Sequence, residues 1–459
     1  MAIVFYYLCN AMLHINMKTP IAIALMLAAA VPCMSARVTT PEPDSAAAIN
    51  ARIRADFPYT LQEFEAIAAA RYPGYTPEKI RRGIEKHYIE TMVIDDTLRV
   101  FRKAPRNLGL LDPALNGGWT SRNWDVEPAR IAGVDSILAF YDAGHAVGPG
   151  KRVTYRFSID VPSSPDIEGD TLRVWMPVPL TTSRQSGIEI LNASPARYTL
   201  SDGRSVHNTI YFSAPAPAPG DTAHFEYTGR YDVRAQYFSP ELIRARMRPY
   251  DCGSELYRRY TAVEEPHMVR MDSLAALLAD TVTDPYALSE RVYEYIDTTY
   301  PWAGAREYST IPCIPRYVVA EGHGDCGQVS LLYISLMRTM GIPARWESGW
   351  MLHPGEQNYH DWAEVYFEGV GWVPVDASFG RFPGAADPRA RKYYSTGTDA
   401  YRFATNSGIG GAMYPPKRFV RSETVDHQAG EVECSRGNLY WSAWNQNLEI
   451  IDITPLDPQ

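Results

Sequence analysis

The stretch GHGDCGQVSLLYISLMRTMGIPAR, residues 322–345, decides how this chain is read. Asp325 is a helix-capping residue type, and Cys326 falls in the first turn that it would cap. Val329, Leu332, Leu336 and Met340 follow at helical spacing, and Gly341, with Pro343 just beyond, stops the run. Leu331 and Ile334 make other faces apolar too, so the spacing predicts a helix buried on most sides. Its N-terminus is chemically special. Unpaired backbone N–H groups and the helix dipole favour an anion there, which lowers a thiol pKa and supplies the thiolate that attacks. Free cysteines are nevertheless among the most buried residue types and usually just pack, so Cys326 needs partners to be read as a nucleophile.

The next segment supplies them. NYHDWAEVYFEGVGWVPVDASFG, residues 358–380, places a histidine and then an aspartate on a hairpin pattern. A nucleophile, a base and an orienting carboxylate are the three parts of a cysteine acyl-transfer site. Register decides whether His360 and Asp376 can meet. A four-residue loop, 368–371, would pair Phe367 with Trp372 and put the two on opposite faces. A three-residue loop, 368–370, with Gly371 in a bulge pairs Tyr366 with Trp372 and Trp362 with Asp376. His360 then lies diagonal to Asp376 on one face, about 7 to 8 Å away between backbones and within side-chain reach.

These residues resemble the transglutaminase-like superfamily of cysteine enzymes: GDCG with its apolar helix ending in GIPAR, then HDWAEVYFEGVGWVPVD, in that order. The resemblance covers roughly 270 to 380 and extends at most to the tail at 455. It implies a papain-like α+β core with Cys326 as nucleophile, His360 as general base and acid, and Asp376 orienting the histidine. It implies no metal or other cofactor. For the oxyanion hole, the Cys326 backbone N–H is one donor. Animal transglutaminases use an upstream tryptophan as a second, but the surroundings of Trp302 match no motif and Tyr308 is an equal candidate. Packing is the plainer role for both.

Neighbouring residues carry weaker signals. Cys313, His323, Cys326, His353 and His360 have no spacing that matches a compact zinc-ligand pattern, and His323 reads as a turn residue. Trp346, Trp350 and Trp362 read as core before substrate groove. RKYYSTGTDAYRFATNSGIGG, residues 391–411, reads as a loop that covers the core or folds over its cleft. ECSRGNLYWSAWNQNLEI, residues 433–450, contains strand-like pieces that complete the sheet.

Working outward, Asp284 and Pro285 open a helix with Leu288, Val292, Tyr295 and Ile296 on one face. Upstream, Val153, Tyr155, Phe157, Ile159 and Val161 alternate with polar residues, as do Leu172, Val174 and Met176. Further strand patterns at 188–200, 207–213 and 222–231, with APAPAPG at 214–220 as a stiff turn, predict a small antiparallel sandwich. Residues 37–110 read as helical, with start signals at Thr60/Glu63 and Thr76/Pro77 and a face of Ile80, Ile84 and Tyr88; 106–150 read as irregular connection.

At the front, Lys18, an apolar run from Ile21 to Val31 and the small residues Ser35 and Ala36 read as a secretory signal, with Met17 the favoured start of translation. Pro32 makes Cys33 a poor lipid-attachment site. No later stretch reaches the ~18 apolar residues of a membrane span. The expected organisation is therefore 1–36 signal peptide, 37–149 helical and irregular region, 150–235 β-sandwich, and 236–459 catalytic domain, in a periplasmic or extracellular protein. A net charge of −9 without Lys/Arg runs argues against nucleic acid. Export permits disulfides, and with Cys326 kept as a thiol, Cys252, Cys313 and Cys434 allow at most one. The function expected is hydrolysis of an amide or peptide bond through a thioester. Acyl transfer to an amine and a non-catalytic binding module are the alternatives, and neither the substrate nor the oligomeric state is legible.

Overall fold

The computed structural model describes residues 43–117 and 127–457; the signal segment, with Cys9 and Cys33, lies outside the described residues. These residues fall in two compact units, 43–117 with 252–343, and 127–251 with 344–457. None of the described helices is long and apolar enough to cross a membrane.

The first unit is mainly helical. Its front part holds helices Pro43–Asp56, Leu61–Arg71, Pro77–Glu85 and Ala104–Leu111. Thr60 and Glu63 form the expected capping box, and Thr76 caps Pro77–Glu85. A small sheet was not anticipated: β1 (Tyr59–Thr60), β2 (Thr91–Ile94) and β3 (Thr97–Val100) pair in the order β1-β3-β2. The β2–β3 turn is Asp95-Asp96, both at positive φ (49° and 58°), a two-residue hairpin turn that aspartate tolerates better than most residues. Phe57, Phe64, Ile80, Ile89, Val100, Phe101 and Leu108 close the core beneath it.

The rear part packs helices Asp272–Ala279, Pro285–Thr299 and Ile314–Glu321 around the cysteine helix, Cys326–Thr339. Every residue of that helix from Gly327 to Arg338 is buried, so its apolar character on all faces is what its position requires. Two of the polar exceptions are bonded across the core: Tyr333 Oη meets Ser289 Oγ at 2.7 Å, and Arg338 donates to Glu265 at 2.7 Å.

The second unit is built on sheets. β4 (Gly150–Pro162), β6 (Gln185–Ser194), β9 (Thr222–Arg234) and β18 (Asn445–Pro455) make one, in the order β18-β4-β9-β6. β5 (Thr171–Pro177), β7 (Thr199–Leu200), β8 (Thr209–Pro215), β16 (Glu431–Glu433) and β17 (Asn438–Leu439) make another, in the order β17-β16-β5-β8-β7. The inward residues of both, among them Tyr155, Phe157, Val174, Phe212 and Tyr227, share one core. The strand-like tail thus completes the sandwich that begins near residue 150: β18 pairs along β4 and β16 along β5.

A third sheet holds β11 (Ala344–His353), β12 (Glu356–Phe367), β13 (Gly371–Val375) and β15 (Arg402–Asn406), in the order β13-β12-β11-β15. β10 (Gln236–Tyr237) pairs separately with β14 (Gly397–Thr398). Two expectations change here. The 391–411 segment supplies a sheet strand, β15, all five of whose residues are buried, where a covering loop was expected. Burial on both faces erases the polar–apolar alternation that marks a strand in sequence. Residues 127–142, expected to be irregular, form a helix with Arg130, Val134, Ile137 and Leu138 buried at helical spacing.

β11 and β15 approach closely at Gly349, where an added Cβ would strike the backbone carbonyl of Phe403. Gly349 stands opposite His360 on one side and Ala404 on the other. Gly349→Ala is expected to cost about 1–3 kcal/mol by forcing the two backbones apart. A fall in Tm of several degrees checks it; an unchanged Tm would contradict the close approach.

Candidate active site

In the first unit, Asp325 is the N-cap of the cysteine helix and Cys326 its first residue. Asp325 Oδ1 accepts from the Gln328 backbone N–H at 3.0 Å, and the Asp325 N–H donates to Gln328 Oε1 at 3.2 Å, a reciprocal capping box. Tyr308 Oη donates to the same carboxylate, and this contact gives Tyr308 a structural role. Burial raises the Asp325 carboxyl above its usual range, against the opposing hydrogen bonds from Tyr308 and Gln328. The turn before it is pinned from upstream: Gly324 N–H donates to Pro301 O and Ala303 N–H to Gly324 O, both at 3.2 Å, a bridge that places Trp302 alongside Gly324. His323 lies buried in this turn, and burial lowers its imidazole below the usual range. Cys326 itself is only partly buried. Cys252, Cys313, Cys326 and Cys434 carry thiols with no disulfide between them.

In the second unit, β12 and β13 pair Tyr366 with Trp372 and Ala363 with Val375, the register of the three-residue loop. Gly369 and Gly371, at φ 82° and 106°, adopt the left-handed turn conformations that glycine allows, and Gly371 itself pairs with Phe367. With that register His360 Nε2 and Asp376 Oδ2 meet at 2.6 Å, both side chains buried.

Asp376 is held from every side. Its Oδ1 accepts from the Ser378 and Phe379 N–H groups at 3.1 and 3.0 Å, and its own N–H donates to Tyr394 O at 2.8 Å. Arg402 Nη1 lies 2.9 Å from Oδ2. Burial alone pushes this carboxyl up, but the charges of His360 and Arg402 with these hydrogen bonds outweigh it and hold Asp376 at about 2. Burial is also the largest influence on His360, lowering it; Asp376 opposes, and Arg402 and Arg130 add to the depression. Both shifts favour a neutral imidazole beside an ionised carboxylate, with Nε2 engaged by Asp376.

Sequence reasoning missed three supports of the dyad: Arg402, the Phe379 ring 4.5 Å from the imidazole, and Gln428, whose amide donates to His360 O at 3.2 Å and Asp361 Oδ1 at 2.6 Å. Only Phe379, three residues past Asp376, stood near a recognised motif. Trp346, Trp350 and Trp362 are core residues whose indole N–H groups are bonded to Ser348, Gln428 and Glu347. Among the described residues, no three His, Cys, Asp or Glu side chains gather in a way that could hold a metal ion.

Residues 272–377, which contain all three residues of interest, match the transglutaminase-like superfamily. This segment is similar to the core that defines that superfamily. The Bacillus subtilis (strain 168) protein YebA is 24% identical over 189 residues, which cover 36% of this chain. The match spans only 25% of YebA. Among solved structures, a "putative cysteine protease" from Cytophaga hutchinsonii is 15% identical, with a TM-score of 0.41, covering 68% of this chain and 93% of that one. The periplasmic domain of TgpA from Pseudomonas aeruginosa, bound to ethylmercury, is 13% identical, with a TM-score of 0.22, covering 53% and 94%.

The Asp376 carboxyl, held below its ordinary 3.8, contributes stability that is fully present above that value and lost as pH falls through about 2. Asp376→Asn should therefore lose less Tm than the parent between about pH 4 and pH 2. Parallel curves for the two proteins would contradict the depressed carboxyl.

Proposed function

We propose that this chain is an exported cysteine hydrolase that cleaves an amide or peptide bond, with Cys326 as nucleophile, His360 as base and acid, and Asp376 as the carboxylate that orients the histidine. The observation that carries this reading is the buried His360–Asp376 pair. It joins an imidazole to a carboxylate at 2.6 Å, in the same family-matched segment as a cysteine at a capped helix start.

In this scheme His360 Nδ1 takes the thiol proton as sulfur attacks the carbonyl carbon, and the resulting oxyanion accepts from the N–H groups that begin the cysteine helix. As the tetrahedral intermediate collapses, the C–N bond breaks and the imidazolium gives its proton to the leaving amine. Water, deprotonated by the same imidazole, then adds to the thioester. Carboxylate leaves and the thiol is restored. The Asp376 negative charge steadies the transient imidazolium, and Nε2–H donating to Asp376 keeps Nδ1 facing the reaction. Export is supported by the signal pattern that ends near Ala36.

Cys326→Ala should abolish turnover of peptide or cell-wall amides while leaving the circular dichroism spectrum unchanged, and iodoacetamide labelling of Cys326 should do the same to the parent. Asp376→Asn should lower kcat by ~100-fold or more, the scale of positioned acid–base catalysis. Release of amine or ammonia without uptake of a labelled amine selects hydrolysis over transfer. Retained turnover in Cys326→Ala would sink the proposal.

A further inference from the structure

Arg402 is a full guanidinium 1% exposed inside the second unit, and the proposed reaction does not use it. It sits on β15, the strand at the far edge of the sheet from β13. Its Nη1 reaches Asp376 Oδ2 at 2.9 Å, and its Nη2 reaches Asp399 Oδ2 at 3.1 Å. Asp399 is itself fixed: Oδ2 accepts from Tyr394 Oη at 2.9 Å and lies 3.4 Å from His353 Nε2, while Oδ1 accepts from the Tyr401 N–H at 2.7 Å. The plane of the guanidinium is held by aromatic faces, with its central carbon 4.5 Å from the Phe379 ring, 5.1 Å from Trp362 and 5.6 Å from Tyr394. Phe379 and Trp362 are the two rings that flank His360, at 4.5 and 5.9 Å.

We propose that Arg402 is the positioning residue of the dyad: clamped by Asp399 and three aromatic rings, it fixes where the Asp376 carboxylate points, and through it the orientation of His360. This deepens the proposed hydrolase and rests on that reading. A cation buried with one carboxylate would suffice to balance charge. Two carboxylates on separate prongs, one of them outside the dyad, are what direction requires, because a two-pronged guanidinium held at one end cannot rotate at the other. The charged and titratable groups around Arg402 are Asp376, Asp399, Tyr394, Tyr393, His360, His353 and Arg184, with Arg130 3.8 Å from the Phe379 ring that Arg402 also approaches. Removing the guanidinium takes away a positive charge near the imidazole, so the protonated ring is favoured and His360 titrates at higher pH.

The test uses the full-length exported chain labelled with 15N-histidine, with the His360 resonance assigned by its loss in His360→Gln. In Arg402→Met, the His360 titration is expected to move up by half a pH unit or more, and kcat to fall at least tenfold with KM within twofold. Arg402→Lys keeps the charge but grips only one carboxylate. It is expected to restore the titration and leave kcat at least threefold below the parent. A folded Arg402→Met with an unmoved His360 titration and a kcat within threefold of the parent overturns the proposal, whatever its Tm. If Arg402→Met does not fold, full kcat in Arg402→Lys overturns it instead. A parent without turnover on any amide would remove the hydrolase reading, while the His360 titration in Arg402→Met still decides whether Arg402 governs the dyad.

Discussion

Burying an imidazole against a carboxylate is expensive unless every remaining lone pair and charge is answered, and the second unit is arranged around that constraint. Asp376 accepts two backbone N–H groups at Oδ1 and faces the imidazole and the Arg402 guanidinium at Oδ2, the latter as an ion pair at 2.9 Å. The guanidinium in turn is answered by Asp399, and Asp399 by a tyrosine hydroxyl and a backbone amide. Each partner comes from a different part of the sheet or its connections, so the sheet order β13-β12-β11-β15 is what makes the pair tolerable.

The same face of β12 continues the pattern. His360, Trp362 and Glu364 alternate along it, and all three are buried. Beyond Trp362, Glu364 is bonded to Arg345 at 2.6 Å and to Arg184 at 3.2 Å, and Arg184 also pairs with Glu347. Trp362 therefore stands between two buried ionic groups, with the Arg402 guanidinium 5.1 Å and that of Arg184 5.8 Å from its ring. The charges that act on His360 beyond its Asp376 partner are those of Arg402 and Arg130, and on Asp376 beyond His360 that of Arg402.

What could be read from the sequence followed from local rules. The cysteine helix declared itself through Asp325, its apolar spacing and Gly341, and hairpin arithmetic told which register a contact between His360 and Asp376 requires, without choosing it. The sandwich strands were legible because one side faces a core and the other faces polar surroundings, as the alternating burial of β9 shows. What escaped was set by tertiary context. β15 is buried throughout, so it carries no period, and Arg402 within it looks like any surface arginine until Asp376 and Asp399, 26 and 3 residues away in sequence, close on it. The helix at 127–142 was masked by the glycine- and asparagine-rich stretch before it, and the Asp95-Asp96 hairpin by helices on both sides.

The outer strand of the sandwich comes from the far end of the chain. β18 runs antiparallel to β4 across a sequence gap of almost three hundred residues, and β16 lies against β5 across a similar distance. During synthesis the early strands emerge long before these partners, so β4 must wait with one side of its backbone unpaired until residues 445–455 have been made. Completion of this module thereby depends on the chain through residue 455: one cut short after Asp376 would carry the His360–Asp376 pair on an unfinished scaffold.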